Sequence, residues 1–355
     1  MIKTIHKNII REVITLFLLT VVCLNFVLMM EKVFRLSRFL SSVGASFLDI
    51  MRIIILLQPQ ILILTVPMSF LIAVLITYGR MNMDSETVVM RAVGMSLRQI
   101  SLPAAVVGLI ACYLTASMTL YFSPLCAGKL RALINDTLKA RAPLALEEGV
   151  FHTAFKDITV LIGDKPSPDA MRDLFIYDST MPERPKVITA KSGSILINQQ
   201  GSPIFDIKDG YINIIRDMTF TELHFARYVL KIDIGLDLQT ERRNEKTPLA
   251  LLREASASGP QARQALYLEF HRRLTLPLIN IFIIFLGPAL AMHSGKRGRL
   301  SGFIYGVGVF GAYYSLLIYF ENLARSGALP HIVAWAPLLI LGAFSLALYH
   351  REARR

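Results

Sequence analysis

Apolar positions along the chain fall into two patterns. Six long runs carry no formal charge: those between Glu12 and Glu31, Arg52 and Arg80, Arg98 and Lys129, Arg273 and Lys296, Arg299 and Glu321, and Arg325 and Arg351. A helix needs about 20 such residues to cross the hydrocarbon core of a bilayer. The pattern predicts six membrane spans, the first being the shortest.

Between the third and fourth runs the pattern changes. "DITVLIGD", "DLFIYDS", "KVITAKSGSILIN", "SPIFDIKDGYINII" and "FTELHFARYVLKIDI" are short stretches rich in Ile, Val, Phe, Tyr and Thr. Gly, Pro, Asp and Asn punctuate them, which is the signature of about six to nine strands. A sandwich, barrel or jelly roll follows. Ile158, Val160 and Ile162 alternate with the equally apolar Leu161. One reading is a filled core with scattered exposed residues; another is a sheet whose apolar interior holds lipid. The expected fold is a polytopic α-helical membrane protein of six transmembrane helices with an inserted all-β, jellyroll-like domain. Its divisions are 1–128 (spans one to three), 129–265 (β-domain with flanking linkers) and 266–355 (spans four to six).

"AGKLRALINDTLKARAPLALEEG" reads as a helical extension of span three, and 248–256 as a short helix leading into span four. The first run is followed by "MMEKVFRLSRF", which offers no small-residue cleavage site. It is read as a retained helix rather than a signal peptide.

The stretch "DSETVVMRAVGMS" lies between spans two and three and is too short to cross a membrane. It predicts a helix over about 84–94. Asp84 is suited to cap its start, and Glu86 lies in the first turn, where the helix dipole favours an acid. Val89 and Val93, four apart, form an apolar stripe with Met90 and Val88. Gly94 suits the residue after the helix, and Ser96 can cap the next one. Such a helix could lie on a membrane surface. It could equally seat in a groove of a soluble protein, with Glu86 offering a charge-assisted contact to a basic side chain.

Composition agrees with a membrane protein: 54% of the 355 residues are hydrophobic. The formal net charge is +12, but no basic stripe interleaved with aromatics points to nucleic acid. Lys3, Lys7, Arg11, Arg80, Arg91, Arg98, Lys296, Arg297, Arg299, Arg351, Arg354 and Arg355 gather on one side of the six spans. The positive-inside rule makes that side cytoplasmic, with both termini there and the β-domain outside. Lys32, Arg35 and Arg38 run against the bias. Snorkelling explains them, as does an anionic ligand. The three cysteines, Cys23, Cys112 and Cys126, form no metal or disulfide pattern.

Chemistry is sparse. No P-loop, HExxH or GxSxG motif is present, and "SGKRG" lacks the P-loop spacing. His152, His224 and His271 are scattered singly and read as structural. No span carries an ionisable residue at its middle, where an ion-coupled carrier usually has one. No cofactor is expected, and if the chain moves something uphill, a partner must supply the work.

This arrangement resembles the LptF/LptG permeases of lipopolysaccharide export. The likeness is carried by six spans, the β-domain between spans three and four, "SETVVMRAVGMSLRQI" after span two, and "EFHRRLTLPLINIFIIFLGPAL" followed by a basic turn. "EKVFR" after span one is more like the F-type subunit. The resemblance implies a non-catalytic permease of the inner membrane, paired with a paralogous second permease over a dimeric cytoplasmic ATPase. It implies extraction of lipopolysaccharide through a β-jellyroll toward a periplasmic bridge of similar jellyrolls. The family's coupling-helix acid matches Glu86, so Asp84, Glu86, Val89, Met90, Arg91, Val93 and Gly94 become the expected ATPase-coupling residues. Its basic pair above span one matches Lys32 and Arg35. With Arg38, these become expected contacts to lipid phosphate, each worth about 1 kcal/mol at an anionic surface.

Three other classes fit less well. An ion-coupled secondary transporter needs an intramembrane charge. An envelope scaffold or assembly factor would share the topology but would not need a contact at Glu86. A membrane enzyme needs a catalytic constellation.

Overall fold

The computed structural model describes residues 2–42, 46–133, 148–155, 158–167, 170–181, 185–197, 203–216, 219–231, 245–293 and 298–354. At 2–3, 35–42, 152–155, 195–197, 203, 215–216, 219–220, 231, 261 and 298–301 only the backbone is described. The side chains of Lys3, Arg35, Arg38, His152 and Arg299, and the residues Lys296, Arg297 and Arg355, therefore lie outside the description.

The helices are α1 (Ile2–Ser42), α2 (Phe47–Met83), α3 (Glu86–Ala92), α4 (Leu97–Ser117), α5 (Pro248–Ala257), α6 (Pro260–His293), α7 (Gly298–Arg325) and α8 (Ala336–Arg354). A π-helical turn, Met118–Phe122, continues α4, and a 3-10 turn, His331–Trp335, precedes α8. Six segments are long and apolar enough to cross a membrane: Thr4–Phe34, Phe47–Met83, Leu97–Leu133, Ala262–His293, Gly302–Arg325 and His331–Arg354. The six spans expected from the uncharged runs are all present. The short helix expected at 248–256 is α5.

The chain divides into two compact units. The first comprises Met1–Met29, Gln58–Cys126 and Arg243–Arg355. Its core gathers Phe70, Ile100, Ile283 and Tyr313 from four different spans, together with Met90 of α3. α2 and α6 are mostly buried, whereas α1 and α7 turn most of their surface outward. Packing in a bilayer depends on close approach, which small residues allow. An added Cβ at Gly302 would stand 3.1 Å from the backbone carbon and oxygen of Leu75, and one at Gly306 2.7 Å from Ile72. These two glycines, one turn apart on α7, let it lie directly against α2. Asn280 of α6 donates to the Thr115 hydroxyl of α4 at 3.2 Å, a polar tie between buried helices.

Several ionisable groups toward the ends of the spans are paired. Arg273 meets Glu269 at 3.0 Å, and Arg272 approaches Glu321 at 3.4 Å. His271 sits in an aromatic stack with His331 and accepts from the Trp335 indole at 3.2 Å, the structural role expected of a lone histidine.

The second unit comprises Met30–Leu57 and Ala127–Arg242. Its strands are β1 (Phe151–Phe155), β2 (Ile158–Ser167), β3 (Ala170–Asp178), β4 (Lys186–Ile197), β5 (Pro203–Arg216) and β6 (Thr219–Lys231). All six form one antiparallel sheet in chain order. The expected inserted all-β domain is present, and among the described residues its connections are those of a meander. Val160, Ile176, Ile188 and Ile212 stand side by side on successive strands and are all buried. On the opposite face the same strands align Leu161, Phe175, Thr189 and Tyr211. Ile158, Val160 and Ile162 thus belong to one buried face, with Leu161 on the other.

Candidate functional site

The loop between the second and third spans carries a connected set of polar contacts. α3 ends in a Schellman motif: the Gly94 amide donates to the Arg91 carbonyl at 2.9 Å, and the Met95 amide to Met90 at 3.0 Å. Gly94 has φ +89°, a conformation a side chain resists. Met90 and Met95, the apolar pair that accompanies this motif, are both buried. Ser96 then opens α4 with a reciprocal capping box to Gln99, at 3.4 and 3.0 Å. Both sequence expectations for this end of the helix, at Gly94 and Ser96, are met.

The start of α3 differs from the expectation. The N-cap is Ser85, with φ 57° and no side-chain cap bond. Asp84 does not cap the helix, because Arg80, one turn earlier on α2, takes its carboxylate at 3.0 Å. The helix is accordingly shorter than the expected 84–94. The same Arg80 Nη1 donates to Glu86 at 2.8 Å. Its other edge grips both carboxylate oxygens of Glu12 on α1, Nε and Nη2 each at 2.8 Å. One guanidinium thus serves three carboxylates, and Glu86 keeps 43% of its side-chain surface exposed. Nothing in the local spacing pointed to Glu12. The i, i+4 separation of Arg80 and Asp84 was the available signal for Arg80.

The expected apolar stripe splits in two. Met90, at 8% exposure, and Thr87 face the core. Val88 and Val89, each at 60%, and Val93, at 74%, face outward. Met90 is therefore a packing residue rather than part of a contact surface. Arg91 turns inward as well: its Nη2 donates to the Glu352 carbonyl in the last turn of α8 at 2.9 Å. The Glu352 carboxylate in turn meets His293 Nδ1, at the end of α6, at 3.0 Å. The Thr87 hydroxyl donates to Asn82 at 3.2 Å, and Asn82 reaches the Met292 carbonyl at 3.4 Å. α3 is thereby fastened to the ends of α2, α6 and α8. What it presents outward is an apolar face, Val88, Val89 and Val93, beside the acids Asp84 and Glu86.

The other expected site is described only in part. Lys32 is half-buried on α1 and belongs to the second unit. The side chains of Arg35 and Arg38 lie outside the described residues.

Comparison with known proteins places these features in a family. The model of the family described as lipopolysaccharide export system permease LptF/LptG matches residues 7–351. An uncharacterised protein of Rickettsia prowazekii (strain Madrid E) is 24% identical over 294 residues, covering 81% of this chain and 80% of its own. The lipopolysaccharide export system permease protein LptF of Escherichia coli (strain K12) is 20% identical over 298 residues, covering 82% of this chain and 79% of its own. The LptF of Shigella flexneri matches to the same extent. With six apolar spans, an inserted β-sheet domain and a family match that runs through both, this chain belongs to the LptF/LptG family of lipopolysaccharide export permeases.

Proposed function

We propose that the chain is the membrane subunit of an ATP-driven lipopolysaccharide extractor and that α3 is its docking element for a soluble ATPase. The single observation that carries this reading is the outward face of α3. Three exposed valines flank two carboxylates, on a helix too short to span a bilayer and tied at its back to three spans. An amphipathic helix in a groove uses such apolar anchors. Arg80 supplies one positive charge against Glu12, Asp84 and Glu86. The remaining negative charge favours a basic side chain on the partner.

The rest of the assembly follows from the family. A second, paralogous permease would lie against the outward-facing apolar surfaces of α1 and α7 in the inner membrane. The loop carrying α3 and both termini would be cytoplasmic, and the β-domain, within 129–265, periplasmic. Lipopolysaccharide would enter between the permeases with its phosphates near Lys32, Arg35 and Arg38. It would then pass along the apolar face of the sheet to a periplasmic jellyroll bridge. The LptF names of the relatives support the F-type assignment. ATP hydrolysis would reside in the partner.

Co-expression with the candidate ATPase and second permease tests the docking reading. Wild type should recover both, and Glu86→Arg should lose the ATPase. Recovery of the ATPase by Glu86→Arg at the wild-type level, with export intact, would overturn it.

A further inference from the structure

We propose that Glu12 is a positioning residue that connects the docking helix to the first membrane span through Arg80. The inference rests on the docking reading and extends it inward.

Arg80 divides its hydrogen bonds between two places. The Nε and Nη2 edge holds Glu12 in a two-point grip at 2.8 Å, and Nη1 holds Asp84 and Glu86 at 3.0 and 2.8 Å. The planar fork fixes both sets of partners relative to one another, a geometry the single ammonium of lysine does not offer. The cluster is partly exposed, between 27 and 51% by side chain, so its contribution to stability is small. Its consequence is positional. Glu12 lies 68 residues from Arg80 in the chain, and it is how α1 gains a hydrogen-bonded connection to the loop helix.

The connection is also sensitive to docking. The N-terminus of α3 has no side-chain cap at Ser85, so its first turn is held by the Arg80 contact to Glu86 together with the Thr87 bond to Asn82. A cation arriving from the partner competes for that same carboxylate. When Glu86 turns outward to it, Arg80 keeps Asp84 and Glu12, and the load on α1 changes. Coupling of this kind requires an element with two arrangements that both sites bias. The shared guanidinium, bound either to all three acids or to two, is such an element.

The test measures lipopolysaccharide moved per ATP hydrolysed by the full complex in proteoliposomes. Glu12→Ala, and the milder Glu12→Gln, should retain the ATPase at the wild-type ratio. Transport per ATP should fall by about fivefold or more, the lower end of ordinary coupling energies. Arg80→Lys, which keeps the charge but loses the two-edged fork, should lower transport per ATP to a similar degree. A merely structural role would lower yield and leave transport per ATP unchanged. If Glu12→Gln complexes form and transport per ATP stays at the wild-type value, the positioning role is overturned and docking stands. If the wild-type chain recovers no ATPase, the docking reading fails, and this inference with it.

Discussion

The guanidinium of Arg91 donates to the backbone carbonyl of Glu352 at 2.9 Å, joining the short helix between spans two and three to the last turn of the final span. Two residues earlier, Val89 faces outward at 60% exposure. The helix therefore has a fastened back and a free apolar front. On the docking proposal, a movement imposed on the front would pass into the membrane helices through these contacts.

The two sides of α3 should respond oppositely to substitution. Met90→Ala removes a buried side chain and should cost about 2–5 kcal/mol, seen as a lower unfolding temperature of the purified chain. Val93→Asp changes an exposed position and should leave that temperature within a degree or two, about the scale of ordinary surface changes. It should nevertheless weaken ATPase recovery in a pull-down.

Gly94 is held at φ +89° with open space around it. Gly94→Ala meets no clash, so its effect is backbone strain alone, about 1–2 kcal/mol. Amide exchange across the end of α3 should quicken. Gly94→Asn, which tolerates the left-handed region better, should do so less.

Gly302 and Gly306 set the approach of α7 to α2. An added side chain at Gly302 meets the Leu75 backbone, which cannot move as a side-chain tip can. Gly302→Leu should cost about 1–3 kcal/mol or more by overpacking. Gly308, whose added Cβ would meet nothing within 4 Å, should accept leucine. Detergent thermal shifts of the two variants check the contrast.

In the sheet, Arg227 grips both oxygens of the buried Asp206 at 2.7 and 3.1 Å. This contact lowers the carboxyl below its ordinary range. A carboxylate lowered on folding adds stability above its unfolded value and loses it as pH falls through the folded one. Arg227→Ala should therefore hasten amide exchange of β5 and β6 relative to wild type at neutral pH. The difference should shrink below about pH 4. The pair is exposed on its arginine side, so the effect should be modest.

Lys32 and Arg35 test the lipid reading. Changing both to Glu should abolish crosslinking of lipopolysaccharide to probes placed nearby, at roughly 1 kcal/mol per charge removed and again per charge reversed. Unchanged crosslinking would favour snorkelling alone.

The six spans were legible because hydrocarbon thickness leaves no alternative to long uncharged helices. The strands were legible from their punctuation, and the last turn of α3 from Gly94 and Ser96, whose backbone roles are local. Its first turn was not. Asp84 looked like a cap, but a guanidinium one turn earlier captures it and leaves Ser85 at the N-cap. A seven-residue helix has too few turns for spacing to separate the buried Met90 from the exposed Val89. Glu12 had no signal at all, because its partner is brought to it only by the packing of α1 on α2.

The central claim is that the front of α3 seats on a soluble ATPase. A cysteine at Val89, in a chain whose Cys23, Cys112 and Cys126 have been replaced, tests it most directly. In membranes containing the co-expressed partners, a short bifunctional thiol reagent should join Val89→Cys to a cysteine placed in the groove of the ATPase. The same reagent should leave Thr87→Cys, on the buried face, unreacted. Loss of the Val89→Cys product, with the residue instead labelled by a lipid-phase probe, would show that this face rests on the membrane surface and would contradict the account.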